Sequence, residues 1–596
     1  MTFIGCGCRS WRHARSNFCG PHRRLALRAA RLTRSRTVDE MSGPSAAVIP
    51  TEHGSSHEKT DEQHENRDAK QVAEDEVGDA GTPRDWRFWA IIASLGITQM
   101  LTAIEFTAIG TALPVIAEDL HGTDYIWIGS AYTLASTALL PFTGGLAQIL
   151  GRRNVMLFSI AIFMVGSALC GAATNMNFLI AGRTVQGLGA GGSISLIQII
   201  ISDLVTLRER GAFNGIMSMC YGIGAGAGPV IGGSLAQTGH WRWLFYMNLP
   251  VGLFCAILIG FFVRLRTPPA PLREKLQRLD FIGNAIIVAS TTSIVIALTW
   301  AGTVYAWSSS KILLPLIIGF VGIGAFIVYE AFVPKYPIIP LSLMTNRTAF
   351  SGYIQNIICA IILSAIAYWL PVYFEACKSA SPTGAGVDNF GVTFMISAMS
   401  ALTGILVRKT GRYRPQMLVG WAFIVIGAAL LGTVEETTPR GRTIGFEIII
   451  ASGIGLTYVG TYFPVLAPIS PEFNATALAY FFFLRQFALI WGVTIGGTIV
   501  QNKLTTSLPE SFLAQFPGGS QIAFTIIPQI STLSPALATA VRSAFADAFQ
   551  LLWHVLCALG GFGLLMGLLM RGLPLHTDVD DRWGRKEEAR DEQGAI

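Results

Sequence analysis

The sequence has few charged residues for its length. Only 13% of its 596 residues are Asp, Glu, Lys or Arg, whereas soluble domains carry about 25%. Hydrophobic residues make up 51%, and many lie in apolar stretches of about 20 residues, the length that crosses a ~30 Å hydrocarbon layer. This excludes a soluble globular domain and predicts an integral membrane protein with the lipid bilayer as its partner. The net charge of +6 then gives no indication of nucleic acid binding, because its meaning lies in which loops carry it.

The nine cysteines show no pattern of a disulfide framework. Five fall inside apolar stretches, where we expect packing roles: Cys170, Cys220, Cys255, Cys359 and Cys557. A second group near the N-terminus has a spacing that fits no common zinc pattern; it comprises Cys6, Cys8, Cys19, His13 and His22. We therefore expect no metal.

Catalytic signatures are missing as well. No nucleophile, base and orienting residue cluster on a common turn, and no Walker lysine motif is present. Residues Gly187–Gly192 match the dinucleotide fingerprint Gly-x-Gly-x-x-Gly, but no strand precedes them and they lie in a membrane segment. The sequence thus indicates neither an enzyme nor an ATP-driven pump, and we expect a proton gradient rather than a cofactor as the energy source.

Fourteen apolar stretches predict an all-α polytopic membrane protein. They lie at about 88–109, 126–147, 154–172, 178–201, 213–237, 243–263, 281–300, 312–332, 350–373, 388–407, 416–433, 443–466, 475–500 and 550–571. Before them, 1–85 is polar and reads as a disordered cytosolic tail. Its acid-free, Arg-rich part indicates either a transit peptide or, as we prefer, an extension (1–40) upstream of a functional start at Met41.

Basic residues set the expected orientation. With the N-terminus inside, the inner turns collect roughly twenty Lys and Arg and the outer loops about seven, which is the positive-inside bias. An even number of spans places both tails in the cytosol, including 573–596.

A nine-residue pattern, Gly-x-Leu-x-x-x-x-Gly-Arg, occurs twice at the inner ends of spans. The copies are Gly144, Leu146, Gly151, Arg152 and Gly404, Leu406, Gly411, Arg412. They close the second and tenth spans, so six helices match six only if two spans are inserted. We expect an N-terminal bundle (86–270), two inserted helices (271–345) and a C-terminal bundle (346–572) with a long outer loop at 502–549. Duplicated halves of this kind build the central site of secondary transporters.

Two charges within the membrane are candidates for proton coupling. Glu105 lies inside the first span, and an intramembrane acid is a functional candidate by default. Thr98, Thr102 and Glu105 share one helix face, which suits the wall of a water-filled cavity. Arg183 in the fourth span needs an interior partner, and Glu105 is one candidate. Gln186, one turn on, extends the polar face; a static structural ion pair is the alternative.

Small residues and inner-turn charges indicate moving contacts. Gly224, Gly228 and Gly232 recur every four residues in the fifth span and predict close helix packing, and Pro229 and Gly233 stand beside them. Pro229 bends the helix, either as ordinary packing or as a bend that controls leakage between the halves. On the inner side, an ion pair of Asp203 with Arg152 and Arg153 would latch neighbouring helices; simple charge anchoring is the alternative.

The second half offers fewer polar residues. Arg485 and Gln486 lie within the thirteenth span and either contact substrate or pair across the bundle. Glu447 lies near the outer end of its span, and we interpret it as an interfacial residue. Arg485 and Gln486, together with Thr102 and Gln186, are the candidate lining of a substrate cavity.

These motifs together resemble the major facilitator superfamily, and specifically its fourteen-spanner drug:proton antiporter branch found in fungi. The resemblance covers about 88–572 and rests on segments 105–114, 144–153, 179–191, 224–233, 241–252 (WRWLFYMNLPVG), 279–283 and 483–486. The resemblance implies proton handling at Arg183 in the fourth-span motif. In the first-span motif, this chain has Glu105 at the position where the family usually has Asp. The resemblance also implies a latch position at Gln148, where the family carries Asp, so the charge contribution is lost.

The resemblance implies a proton-coupled antiporter that exports small hydrophobic or amphipathic compounds such as drugs, toxins or secondary metabolites. We expect a monomer in the plasma membrane, with the vacuolar membrane as the alternative. Two other functions stay open: an importer of the same fold for a siderophore or amino acid, and a nutrient receptor that does not transport.

Overall fold

The computed structural model describes residues 85–120, 126–263, 280–301, 305–334, 342–516 and 527–575. These residues form fourteen long helices and no strand of a sheet. The helices are α1 (Trp86–Asp119), α2 (Ile126–Leu150), α3 (Arg152–Gly171), α4 (Met176–Leu204), α5 (Leu207–Gln237), α6 (Asn248–Phe262), α7 (Phe281–Trp300), α8 (Ser310–Phe332), α9 (Arg347–Lys378), α10 (Pro382–Thr410), α11 (Arg414–Leu431), α12 (Arg440–Gly460), α13 (Asn474–Ser507) and α14 (Pro535–Leu569). Their number and order agree with the fourteen predicted spans.

Thirteen of these helices are long and apolar enough to cross a membrane, α6 being counted together with the short helix Trp243–Tyr246 before it. The other one, α5, is 31 residues long, but its many glycines and its charged first turn lower its hydropathy. Because backbone polar groups must be satisfied inside a bilayer, a chain of continuous helices is the structure that this composition requires. The chain is a multi-pass membrane protein.

The helices pack in a pattern that repeats after eight helices, which defines a first set, α1–α6, and a second set, α9–α14. In the first half α1 packs on α5, α2 on α4 and α3 on α4; in the second α9 packs on α13, α10 on α12 and α11 on α12. The sixth helix of each set, α6 or α14, packs on the first and third of its own set. The two sets meet through α2 with α13 and through α5 with α10.

The two helices between the sets lie at the periphery. α7 contacts both α2 and α13, and α8 packs on α7. Trp300 and Phe281, at opposite ends of α7, contact Trp127 and Phe142 of α2. α8 leaves large apolar side chains such as Val321 exposed, as a helix facing lipid does.

The prediction of a loop over 502–549 is wrong in most of its length. α13 continues to Ser507, a short helix spans Glu510–Gln515, and α14 begins at Pro535. Proline suits the first helical position, and the alanines that follow have the highest helix propensity, so α14 starts well before its apolar part. The tails 1–84 and 576–596 and the segments 264–279 and 335–341 lie outside the described residues, as do Cys6, Cys8 and Cys19.

Candidate functional site

A cluster of buried polar side chains lies inside the first helical set. The Arg183 guanidinium of α4 donates to Glu105 Oε1 of α1, and Glu105 Oε2 accepts a 2.6 Å hydrogen bond from Asn248 Nδ2 at the start of α6. Arg183 also donates to Gln186 Oε1 at 2.7 Å. All four residues are at least 98% buried. Glu105 is therefore the partner that Arg183 was expected to need.

Three further groups complete the cluster. Arg183 Nε donates to the Ile128 carbonyl at 3.0 Å, and the guanidinium lies 4.3 Å from the centre of the Tyr132 ring, both on α2. Ser167 Oγ of α3 accepts from Gln186 Nε2 at 2.8 Å. The cluster thus joins five helices around one acid and one base. Three neutral groups hold Arg183, and the Asn248 amide holds Glu105.

Sequence reasoning missed Asn248, Tyr132 and Ser167 in this cluster. Asn248 lies within the quoted segment 241–252, but an amide at a helix start carries no cost that would mark it. Asn248 Oδ1 is buried without a hydrogen-bond partner, which leaves one acceptor unused beside the ion pair. Neutral residues of this kind become recognisable only when the helices are brought together.

The close approach of α3 and α4 positions the cluster. Gly166 faces the backbone of Gln186, and Gly182 faces Cys170, at distances that leave no room for a Cβ atom. Because these small residues let α3 and α4 pack closely, the Arg183 side chain of α4 can contact α1 and α2.

The proposed cavity wall on α1 is not formed in this structure. Thr98 and Thr102 are 97% and 95% buried, and their hydroxyls donate to the carbonyls of Ser94 and Gln99 on their own helix. A face rich in threonine is compatible with a cavity, but α1 buries this face inside the first set because each hydroxyl is satisfied locally. Gln186 is likewise fully buried in the ion-pair cluster rather than in an open cavity.

The inner-turn latch forms in part. Arg152 Nε donates to Asp203 Oδ2 at 2.8 Å, and both residues are buried. Arg153 is exposed and has no ion-pair partner within the described part of the chain, because consecutive residues of a helix point in different directions. Gln148 Nε2 donates to Thr476 Oγ1 of α13 at 3.2 Å, so the neutral amide does link the two sets.

The glycines of the fifth-span motif do not lie between the two sets. Gly224, Gly228 and Gly232 face the α1 carbonyls of Met100, Ile104 and Ala108. Thr111 of α1 donates to the carbonyl of Pro229 at 3.2 Å, and Gly233 is only in ordinary contact with Thr111. This motif fixes α5 to α1 within its own set, so a control of leakage between the sets does not follow from it.

A different row of glycines on α5 faces α10. Gly211, Gly215, Gly222 and Gly226 lie against Gly404, Ala401, Ser397 and Phe394, respectively. At the inner end the fit is closest, because a Cβ atom on Gly404 would overlap the Gly211 carbonyl. The sequence contained this row at spacings of 4, 7 and 4 residues, which keep one helix face, but the four-residue repeat of Gly224, Gly228 and Gly232 was the pattern that the prediction followed.

The two copies of the repeated motif lie at the two contacts between the sets. Gly404 of the second copy faces α5, and Gly144 of the first faces Ala475 and Ala479 of α13. The later glycines, Gly151 and Gly411, have φ angles of 86° and 64°, which residues with a Cβ adopt at a cost. The motif thus provides a close helix contact followed by a tight turn in each set.

Arg485 is buried in the second set without an acid. Arg485 Nε donates to Asn356 Oδ1 at 2.8 Å and Nη2 donates to the Tyr458 carbonyl at 2.6 Å. The guanidinium lies 4.0 Å from the centre of the Tyr458 ring and 4.6 Å from that of Phe481. Among the described residues no carboxylate lies within ion-pair distance of it. Gln486 is half-buried beside it.

Comparison with known proteins identifies the chain at the level of the family. The profile of the Major Facilitator Superfamily matches residues 95–493. The MFS-type transporter gkaD of Penicillium citrinum is 36% identical over 572 residues, which cover 94% of this chain and 97% of that protein. The chain therefore belongs to the major facilitator superfamily and is a transporter rather than an enzyme.

Other relatives come from fungi too. The efflux pump FUS6 of Gibberella fujikuroi is 35% identical, with 84% of this chain and 92% of that protein covered. The acurin A biosynthesis cluster MFS-type transporter of Aspergillus aculeatus is 34% identical at coverages of 84% and 92%. Among solved structures, the proton:xylose symporter XylE aligns with a TM-score of 0.52 at 12% identity, covering 82% of this chain and 98% of that one; it shares the fold.

Proposed function

We propose that this transporter exports small hydrophobic or amphipathic compounds, such as secondary metabolites, toxins or drugs, in exchange for protons. Support for the direction and the substrate class comes from relatives described as an efflux pump and as the transporter of a biosynthesis cluster. The plasma membrane is the location that fits such export best, and a monomer is sufficient because each chain has both helical sets.

The buried Glu105–Arg183 pair is the observation that carries the proton coupling. Glu105 is the only acid in hydrogen-bond contact with Arg183 among the described residues. When Glu105 binds a proton, the guanidinium keeps the Ile128 carbonyl, Gln186 and the Tyr132 ring as partners. The ion pair can therefore open without leaving the cation unsolvated, which is what a carrier of exchangeable protons requires.

The proton gradient is large enough for this exchange. One proton moving down ~100 mV gains about 2.3 kcal/mol, and ~1 pH unit adds about 1.4 kcal/mol. Together these support a concentration gradient of roughly a few hundredfold for a neutral substrate.

The test uses inside-out vesicles with an acidic interior, to which a panel of hydrophobic toxins and drugs is added while the internal pH is followed. We expect at least one compound to trigger proton efflux in the wild type and none to do so in Glu105→Gln. The variant should fold, because the unused Asn248 Oδ1 can accept a hydrogen bond from the new amide once the Asn248 side chain flips.

Glu510→Gln is the matched control, since Glu510 is an exposed acid on the short outer helix. It should behave as wild type. Compound uptake without proton movement in both wild type and Glu105→Gln would refute proton coupling at Glu105, and movement of substrate only in the inward direction in cells would indicate an importer.

A further inference from the structure

Glu447 of α12 is a buried acid that the Glu105 cluster does not use. The expectation that it is interfacial is wrong, since none of its surface is exposed. Both carboxyl oxygens are buried without a hydrogen-bond partner. It is the eighth residue of α12, which places it about 10 Å along the helix from the outer end. The sequence indicates the position of Glu447 near the outer end of α12, but it does not indicate that this side of α12 faces the interior of the second set.

Glu447 occupies the place in the second set that Arg183 has in the first. Arg183 is the eighth residue of α4, and six residues later in each helix stands a glycine, Gly189 or Gly453, that faces the third helix of its own set, α3 or α11. The duplicated fold thus places a base at this position in one set and an acid in the other.

The surroundings of Glu447 disfavour a negative charge. A Cβ atom on Gly391 of α10 would lie 3.4 Å from Glu447 Oε1, so the carboxyl faces the α10 backbone. Asp388, one turn away on α10, is ion-paired with Arg440, with 2.6 Å between Arg440 Nη2 and Asp388 Oδ2. Arg440, the base that shares the Glu447 face of α12, is therefore already neutralised, and an ionised Glu447 would face another acid.

Among the described residues, no base lies within ion-pair distance of Glu447. Lys378, at the end of α9, donates to the carbonyls of Glu435 and Glu436 instead. α9 presents Tyr373, whose hydroxyl donates to the Glu435 carbonyl, and α11 presents apolar residues and Gly427. α5 has a smaller contact with α12. Its charged residues Arg208, Glu209 and Arg210 lie in its first turn, and Tyr221 lies in its middle. An unpaired charge in such a place costs several kcal/mol, and the neutral acid costs much less.

A polar face of α12 connects Glu447 with the outer surface. Arg440, Thr443 and Glu447 are spaced at i, i+3 and i+7, so they lie on one side of the helix. The Arg440 side chain is 50% exposed, whereas Thr443 is fully buried beside the Tyr373 hydroxyl. A water or two admitted at Thr443 would complete a path from the surface to the carboxyl.

We propose that Glu447 is a second proton-binding carboxyl of this transporter, which is neutral in the conformation described and exchanges its proton with the outer side along the Arg440–Thr443 face. On release the O–H bond breaks, the proton passes to water, and the carboxylate remains until a proton returns. Its role in transport rests on the proposed proton coupling, whereas its protonation does not.

The test is infrared spectroscopy of the full-length protein in lipid nanodiscs, titrated with hydroxide in H₂O and D₂O. We expect wild type to show a protonated-carboxyl band at neutral pH that Glu447→Gln lacks and Glu510→Gln keeps. Thr443→Val should slow the conversion of this band to carboxylate after a step to alkaline pH. An unchanged band in Glu447→Gln would overturn the proton site, and an unchanged rate in Thr443→Val would overturn the path.

The variant Glu447→Leu separates the loss of the proton site from a folding defect. If Glu447 is neutral and unpartnered, leucine should fold, should lack the band and should melt no lower than wild type; a strong loss of thermal stability would show that the acid is charged and bonded, and would overturn the proposal. Because this measurement needs no substrate, its outcome is separate from the vesicle assay. Loss of the band together with absent proton flux would refute the proposed function and leave the proton site intact.

Discussion

Replacing Gly404 by alanine inserts a methyl group between α5 and α10 at their inner ends. The new Cβ atom would overlap the Gly211 carbonyl, and a backbone atom cannot rotate away as a side chain can. Overpacking of this kind costs about 1–3 kcal/mol. The cost falls on the conformation in which these ends touch, so the equilibrium should shift toward a conformation with the inner side open by roughly five- to 150-fold.

Electron spin resonance distances between labels at positions 153 and 409 would measure this shift. Both positions are exposed at the inner side, one in each set. Gly404→Ala should add a population with a longer distance between the labels. Gly445→Ala is the control, because no atom lies within 4 Å of the added methyl group. If both variants gave the wild-type distance distribution, the closest contact between the sets would not govern the inner side.

Two further predictions concern the inner turns and are checked by thermal unfolding in detergent. Arg152→Ala breaks the buried ion pair with Asp203 and should destabilise the protein by about 3–5 kcal/mol. Arg153→Ala, at an exposed position, should change the unfolding free energy by less than about 0.5 kcal/mol; equal effects would contradict the assigned pair. Gly411→Ala forces alanine to a φ of 64° and should cost about 1–2 kcal/mol, while Gly441→Ala in an open position of α12 should be neutral or stabilising. A loss of stability in both glycine variants would show that backbone strain is not the cause.

The charges of the first set could be found from the sequence because they are expensive. A carboxylate and a guanidinium inside membrane segments each require a partner, and that argument led to Glu105 and Arg183. Asn248 and Ser167 could not be found in this way, since neutral polar residues can satisfy themselves on their own helix. The same limitation explains Thr102, whose local hydrogen bond made a cavity unnecessary.

The glycine rows show a second limit. Spacing tells which residues share a helix face, but it does not tell which neighbour that face meets. Gly224 and Gly228 were placed correctly on one side of α5, yet that side packs on α1. The glycines that approach α10 recur after 4, 7 and 4 residues and also share one face of α5, but the spacing alone could not show that this face meets the other set.

The inserted helices give the molecule two unlike sides. α7 lies across the seam where α2 meets α13 and contacts both helices, so it straps the two sets together on that side. The packing of α5 on α10, at the other seam, is not strapped by α7 or α8. Separation of α2 from α13 therefore has to change the contacts of α7 as well. Separation of α5 from α10 has to break only the contacts between these two helices, which include the glycine row and an ion pair between Arg408 and Glu209. The two inserted helices therefore constrain one of the two contacts between the sets and leave the other to the helices that form it.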